Sequence, residues 1–296
     1  MTITYYLLRE SDQQALTKCD GIMDERGLAY GDGFFSTIGV HDGCVLCAEG
    51  HRERLVRSAD RLELSFDIDG VMAALYHLAK DIQEGILKII ITRAPQEVRG
   101  YGYLDQCAQV FIKSTASRIY DGVEFVSGLP CQKAGRAVCL NEKVSLRTPR
   151  FVGLKLIGSH EQVFIHRALL EHQKSNSSIV EGLIKSTSGD WVSGTMSNVC
   201  YCIDGVWYTP PITEAGVDGV MRQTLMSKFN IKVRKLTGDD LKRISGMFFC
   251  NAVRGIMPID VLIIDGDILQ LSSTSISCHK MVIRPTYNVN RLNQNA

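Results

Sequence analysis

Along the first third of the chain, short apolar runs alternate with stretches whose apolar positions recur every three or four residues. Residues 33–40 (GFFSTIGV) and 44–48 read as two strands of a hairpin across the turn His41-Asp42-Gly43. Residues 51–63 read as a helix with Leu55, Ala59 and Leu62 on one face, and residues 71–83 as a second helix. LKIIITRA (87–94) and AQVFIKST (108–115) are rich in β-branched residues and read as strands. The pattern pauses at Ser114–Arg118, STASR, the expected linker. Beyond it come short strands at 121–126, 137–141, 179–184, 197–203, 206–209, 231–235, 247–251 and 256–264. Helices interrupt them near 157–174, 218–228 and 238–244, the last opened by Thr237-Gly238-Asp239-Asp240. Many short strands with few helices predict a mixed, barrel-like second half. The expected class is α+β, with a small α/β domain over 1–115 and a larger barrel-like domain over 119–296.

Composition narrows the function classes. The 296 residues are 45% hydrophobic and 22% charged, with formal net charge +1. That is a globular profile without the basic excess of a nucleic-acid footprint. No apolar run approaches the roughly 20 residues of a membrane span, and MTITYYLLRESDQQ is too polar for a signal peptide, so a cytoplasmic protein is expected. The ten cysteines are scattered and read as free thiols. Cys44 and Cys47 form a C-x-x-C on a segment read as a strand, where side chains three apart face opposite ways, and no second pair completes a metal site. Cys200 and Cys202 share a strand face and read as buried small apolar residues. No G-x-G-x-x-G follows a strand, so nothing supports a dinucleotide-binding fold.

Four separated segments carry the candidate chemistry: HRERL around Arg54, the run around Lys155, SGTMSN (193–198) and EAGVDGVMRQ (214–223). Lys155 lies among Val152, Leu154 and Leu156, before a helical face with Val163, Ala168 and Leu169. Such a lysine either snorkels or offers a neutral amine for Schiff-base chemistry, because desolvation lowers its pKa. Arg54 offers a planar fork for phosphate, or is a surface arginine like its neighbours. The turn through Gly219 into a helix presents the main-chain N–H groups of Val220 and Met221 to an anion, or is an ordinary helix start. Arg99-Gly100-Tyr101-Gly102 sits on a loop between the two β-branched strands, and Asn251 and Arg254 flank a tight turn. A cation, an amine, a polar strand end and a glycine-bearing turn together make up the inventory for pyridoxal 5′-phosphate (PLP).

In order and spacing, DERGLAYGDGFFSTIGVHDG (24–43), HRERL, LKLIGSHEQV, SGTMSN with DGVWYTPP (204–211), AGVDGVMRQ and NAVRGIMPI (251–259) match one family. The chain resembles the fold-type IV PLP enzymes, which include branched-chain and D-amino-acid aminotransferases and 4-amino-4-deoxychorismate lyases. GDGFFST, with Ser36 where many transaminases carry glutamate, and VRGYG (98–102) are most similar to the lyases. The resemblance implies that Lys155 forms the Schiff base and Arg54 binds the cofactor phosphate. It also implies that the Val220 and Met221 amides complete the phosphate cup and that Ser193 and Asn251 line the cofactor. Tyr30, Ser36, Arg99 and Arg254 are the implied substrate contacts, with 4-amino-4-deoxychorismate as substrate and a homodimer as the assembly.

Two positions depart from the family pattern. Ser193 stands where a glutamate usually faces the pyridine nitrogen, and a hydroxyl cannot hold that nitrogen protonated as a carboxylate can. Elimination driven by aromatisation tolerates the weaker electron sink better than transamination does. His160 stands where aminotransferases often carry a tyrosine near the cofactor hydroxyl. A D- or branched-chain aminotransferase is the alternative within the family. A non-catalytic binding protein of the same fold is the alternative outside it, favoured by Ser193.

Overall fold

The computed structural model describes residues 3–8, 16–17, 25–98 and 100–272. The first half contributes β1 (Ile3–Leu8), β2 (Leu16–Thr17), α1 (Arg26–Tyr30), β3 (Gly33–His41), β4 (Cys44–Val45), α2 (Ala48–Leu62), α3 (Ile68–Ile82), β5 (Gly85–Arg93) and β6 (Ala108–Ala116). Its strands form one antiparallel sheet in the order β2-β1-β6-β5-β3-β4. Strand alternation sends Phe34 and Ile38 of β3 and Leu87, Ile89 and Ile91 of β5 to one face. There they join Leu55 of α2 and Val71, Leu75 and Leu78 of α3 in a single buried core.

The second half contributes β7 (Glu124–Val126), β8 (Leu129–Cys131), β9 (Gly135–Val144), α4 (His160–Ser175), β10 (Ile179–Ser186), β11 (Trp191–Gly194) and β12 (Asn198–Ile203). It continues with β13 (Val206–Thr209), α5 (Val220–Lys228), β14 (Ile231–Val233), β15 (Gly246–Asn251), β16 (Gly255–Ile264) and β17 (Asp267–Gln270). Strands β9, β10, β11, β12, β15 and β16 pair in a closed ring, because β15 joins β12 to β16 and β16 returns to β9. Closure removes unpaired edges from these strands. All six strands feed one apolar cluster through Ala137, Leu183, Trp191, Tyr201, Phe249 and Ile259. On the opposite pleat of β12, Cys200 and Cys202 are buried against Met221 and Leu225 of α5, as expected of small apolar residues. The α+β class with a barrel-like second half is the architecture observed.

Several local expectations need correction. The second hairpin strand is only Cys44–Val45; Cys47 takes a left-handed conformation (φ 52°) and starts α2 at Ala48. The C-x-x-C pair therefore bridges a strand and a helix cap rather than lying on one strand. Helix α3 begins three residues early because the Asp67 carboxylate accepts from Gly70 N at 2.9 Å. Three of the five expected linker residues, Ser114 to Ala116, extend β6, since each pairs with β5. The strand expected over 121–126 is a hairpin of β7 and β8 turned at Ser127 and Gly128, both with positive φ. The helix expected over 238–244 is reduced to one 3-10 turn, Leu241–Arg243, with the Asp240 carboxylate bonded to Thr237 and Arg234. Helix α4 buries Ile165 and Leu169, whereas Val163 is exposed. Among the described residues, no helix is long and apolar enough to cross a membrane.

Candidate active site

The segment around Lys155 has no regular structure of its own. It is fixed by backbone bonds from both halves. Phe35 N donates to Lys155 O at 2.9 Å, Ile157 N donates to Gly33 O at 3.3 Å, and Leu156 bridges Phe34. On the other side Gly153 N donates to Gly216 O at 3.2 Å and Asp218 N to Gly153 O at 2.9 Å. Gly153 has φ +80°, a conformation that a side chain would strain. The lysine is thus set between β3 and the turn that opens α5.

Its amine lies 4.6 Å from the centroid of the Phe35 ring, and the Lys88 amine lies 4.9 Å from the same centroid. Burial lowers the Lys155 pKa to about 8, with help from the positive charges of Arg54 and Lys88. A substantial neutral fraction therefore exists near neutrality, which a nucleophilic amine requires. The expected consequence is a pH profile for capture of PLP by the apoprotein. Below pH 8 the amine is mostly protonated, so the capture rate rises about tenfold per unit; above 8 it levels off. Stopped-flow absorbance checks this, and a rise continuing past pH 10 contradicts it.

Arg54 is buried on α2, facing the same turn. One terminal nitrogen donates to Ser36 Oγ at 3.2 Å and the other to Asp218 O at 3.0 Å. Burial, then the neighbouring Arg57, lower its pKa to about 10, against the pull of Asp218. It stays cationic at neutral pH. The Asp218 carboxylate is held by Arg57, Arg222 and Gln223. Helix α5 starts at Val220 with Gly219 before it and no side chain capping its first turn. The N–H groups of that turn, those of Val220 and Met221 included, have no intrahelical partner. Gly219 is required by close approach: a Cβ there would lie 2.0 Å from Asn198 Oδ1. A buried guanidinium beside an uncapped helix start fits a phosphate, and the depressed lysine amine fits the aldehyde of the same cofactor.

The polar strand end joins this arrangement through Asn198, whose amide donates to Val217 O at 2.9 Å. Ser193 is buried, and its hydroxyl donates to Gly194 O at 3.0 Å. The carboxylate in this corner is Glu181, which the sequence reading missed. It is buried and accepts from Thr195 N, Thr195 Oγ1 and Ser197 Oγ at 3.0, 2.7 and 2.7 Å. His166 of α4 comes within 3.4 Å of Thr195 Oγ1.

The expected substrate contacts are distributed less evenly. Arg99 lies outside the described residues. Tyr30 is exposed and edge-on to Tyr101 at 5.4 Å. Asn251 folds its own turn, its Oδ1 accepting from Val253 N and Arg254 N, and its amide reaches Met196 O at 3.4 Å. The Arg254 guanidinium donates to Val180 O at 3.4 Å. Ser36 is fully buried on the pleat shared with Phe34 and Ile38, opposite to the face that Phe35 turns toward Lys155. The residues of β3 and β5 on the lysine side include Phe35 and Thr37, with Ile90 and Lys88 opposite them in register. The alternation of GFFSTIG carried this signal. His160 is exposed at the start of α4, in a cleft of about 360 Å³ lined also by Arg147, Phe151 and Leu156.

The sheet with its two helices lies beside a closed barrel, with Lys155 and Arg54 where the two meet. The model of amino-transferase class IV matches residues 33–262, and the chain belongs to that family. An aminodeoxychorismate lyase of Bacillus subtilis is 26% identical over 222 residues, covering 74% of this chain and 70% of that protein. A D-alanine aminotransferase of Staphylococcus epidermidis is 24% identical over 261 residues, covering 83% and 84%. Among solved structures, a 4-amino-4-deoxychorismate lyase from Pseudomonas aeruginosa matches with a TM-score of 0.74 at 23% identity, over 93% of this chain and 97% of that one.

Proposed function

We propose that this protein is a PLP-dependent lyase that converts 4-amino-4-deoxychorismate to 4-aminobenzoate and pyruvate, a step of folate synthesis. The observation that carries the choice of lyase is the corner at Ser193. A hydroxyl stands there, and the nearby Glu181 carboxylate is already bonded to Thr195 and Ser197. PLP, when bound, supplies the electron sink for bond cleavage at the amine-bearing carbon. Arg54 and the Val220 and Met221 amides would hold its phosphate, and Lys155 its aldehyde carbon, with Ser193 and Asn251 along its edge. Neutral Lys155 takes the proton from the amine-bearing carbon and later returns one. The enolpyruvyl oxygen leaves as the substrate ring becomes aromatic, so product formation draws on the ring itself. Arg99, with Tyr30 and Arg254, supplies contacts for the substrate carboxylates. Lys88 adds a second cation beside the amine. The family implies a homodimer, and the reading places it in the cytoplasm.

The D-alanine aminotransferase relative keeps transamination as the competing reading. It requires a ring nitrogen held protonated, which Ser193 does not provide. Wild-type protein saturated with PLP is therefore expected to release 4-aminobenzoate and pyruvate in equal amounts, with little transfer from D-alanine or a branched-chain amino acid to 2-oxoglutarate. Ser193→Glu is expected to raise the ratio of transaminase to lyase activity. Both activities are measured in both proteins at the same PLP excess. Wild type that transaminates as fast as it makes 4-aminobenzoate makes the aminotransferase reading the better one.

A further inference from the structure

His51 is fully buried on α2, one turn before Arg54, and has no part in the chemistry above. Its Nδ1 lies 2.9 Å from Ser36 Oγ, and the same oxygen accepts from Arg54 at 3.2 Å. Its Nε2 has no hydrogen-bond partner among the described residues. Arginine has no acceptor, so the direction of the bond from Arg54 to Ser36 is fixed. The serine hydroxyl then has one hydrogen to place. If His51 carries its proton on Nε2, Ser36 donates to Nδ1 and a single buried N–H is unpaired. If the proton is on Nδ1, both the serine hydrogen and Nε2 are unpaired. The first arrangement leaves fewer unsatisfied buried groups and is favoured. A charged imidazolium would strand the serine hydrogen and face Arg54. Burial and that arginine hold the His51 pKa at about 3, so the ring is neutral.

We propose that Ser36 and His51 are positioning residues for the anion cup: a one-way hydrogen-bond chain from Arg54 to Ser36 to His51 fixes the guanidinium plane, so that its remaining N–H groups face the bound phosphate. The proposal rests on the reading of Arg54 as the phosphate ligand. It gives Ser36 a role suited to the buried face it occupies. His51 is no proton shuttle, since it is buried, neutral and bonded to Ser36 through the nitrogen that could accept. The second bond, from Arg54 to Asp218 O, leaves the fork anchored at both tips.

The test compares binding of PLP and of pyridoxal, which lacks the phosphate, to wild type, Ser36→Val, Ser36→Thr, Arg54→Ala and the Ser36→Val/Arg54→Ala double variant. Fluorescence titration of the apoproteins reads the affinities. Ser36→Val is expected to weaken PLP on the order of fivefold, the size of one net hydrogen bond, and to leave pyridoxal unchanged. Ser36→Thr, which keeps the hydroxyl, retains wild-type affinity, and in the Arg54→Ala background the valine adds nothing. Equal losses for PLP and pyridoxal, or a full loss in the double variant beyond Arg54→Ala, overturn the proposal. Wild type that binds PLP with Ser36→Val equal to it overturns the chain alone; wild type that binds no PLP overturns the cofactor reading as well. Histidine ¹⁵N NMR of the wild-type protein is a second readout that needs no variant to fold. It is expected to show His51 protonated at Nε2 only, unchanged from pH 6 to 8; a proton on Nδ1 contradicts the proposal.

Discussion

Lys155→Ala removes turnover and the visible absorbance of bound PLP while leaving the fold in place. The fold survives because the segment is held by its backbone: Phe35 N bonds to Lys155 O, and Gly153 bonds to Gly216 and Asp218 on either side. The side chain contributes an amine near the Phe35 ring and no hydrogen bond that supports a neighbour. Loss of proton transfer by a positioned group alone lowers rates by about 10²–10⁴-fold, and loss of the covalent hold on the cofactor adds to this. Lys155→Arg is expected to fail as well, since a guanidinium does not deprotonate in proteins. Circular dichroism and thermal melting verify folding, and 4-aminobenzoate release measures turnover. Near wild-type turnover in a folded Lys155→Ala protein would remove this lysine from the chemistry.

Arg54→Ala gives the second large effect, on cofactor affinity. The guanidinium is buried between the two halves and bonds to Asp218 O, directly before the helix start, more closely than Arg57 does (3.0 against 3.5 Å). A hydrogen bond to a charged group is worth about 1.5–3 kcal/mol, so PLP affinity should fall roughly tenfold to 150-fold. Turnover at saturating PLP falls less, because the arginine acts on the phosphate and not on the reacting carbon. The loss also takes one positive charge from the surroundings of Lys155, so the lysine pKa should move up from about 8 toward its ordinary value. The pH profile of PLP capture would shift to higher pH with it. Unchanged affinity and an unchanged profile would show that the arginine does not face the cofactor.

The parts of this site legible in the sequence are those encoded by local motifs. HRERL places Arg54 on a helix, AGVDGV places an uncapped helix start, and the apolar run around Lys155 announces desolvation. What sequence alone left open is facing. Ser36 and Thr37 are adjacent, and only the pairing of β3 with β5 shows that Ser36 turns to the helices while Thr37, with Lys88 opposite, lies on the pleat of Phe35. Glu181 was invisible for a related reason: its meaning comes from the Thr195–Ser197 turn folding over it across the pairing of β10 with β11. Helix ends were misjudged where a single side chain sets them, as at Asp67. The short strands β11 and β17 were missed, although closure of the ring depends on β11.

One lysine, Lys155, is expected to carry the cofactor, and among the described lysines only Lys88 also places its amine near the Phe35 ring. The direct measurement is borohydride reduction of the PLP-loaded protein followed by proteolysis and mass spectrometry of the fluorescent peptide. The expected result is a single phosphopyridoxyl adduct on Lys155, absent when reduction follows removal of PLP. An adduct on Lys88 or on any other lysine in its place, or no adduct at all, contradicts the account.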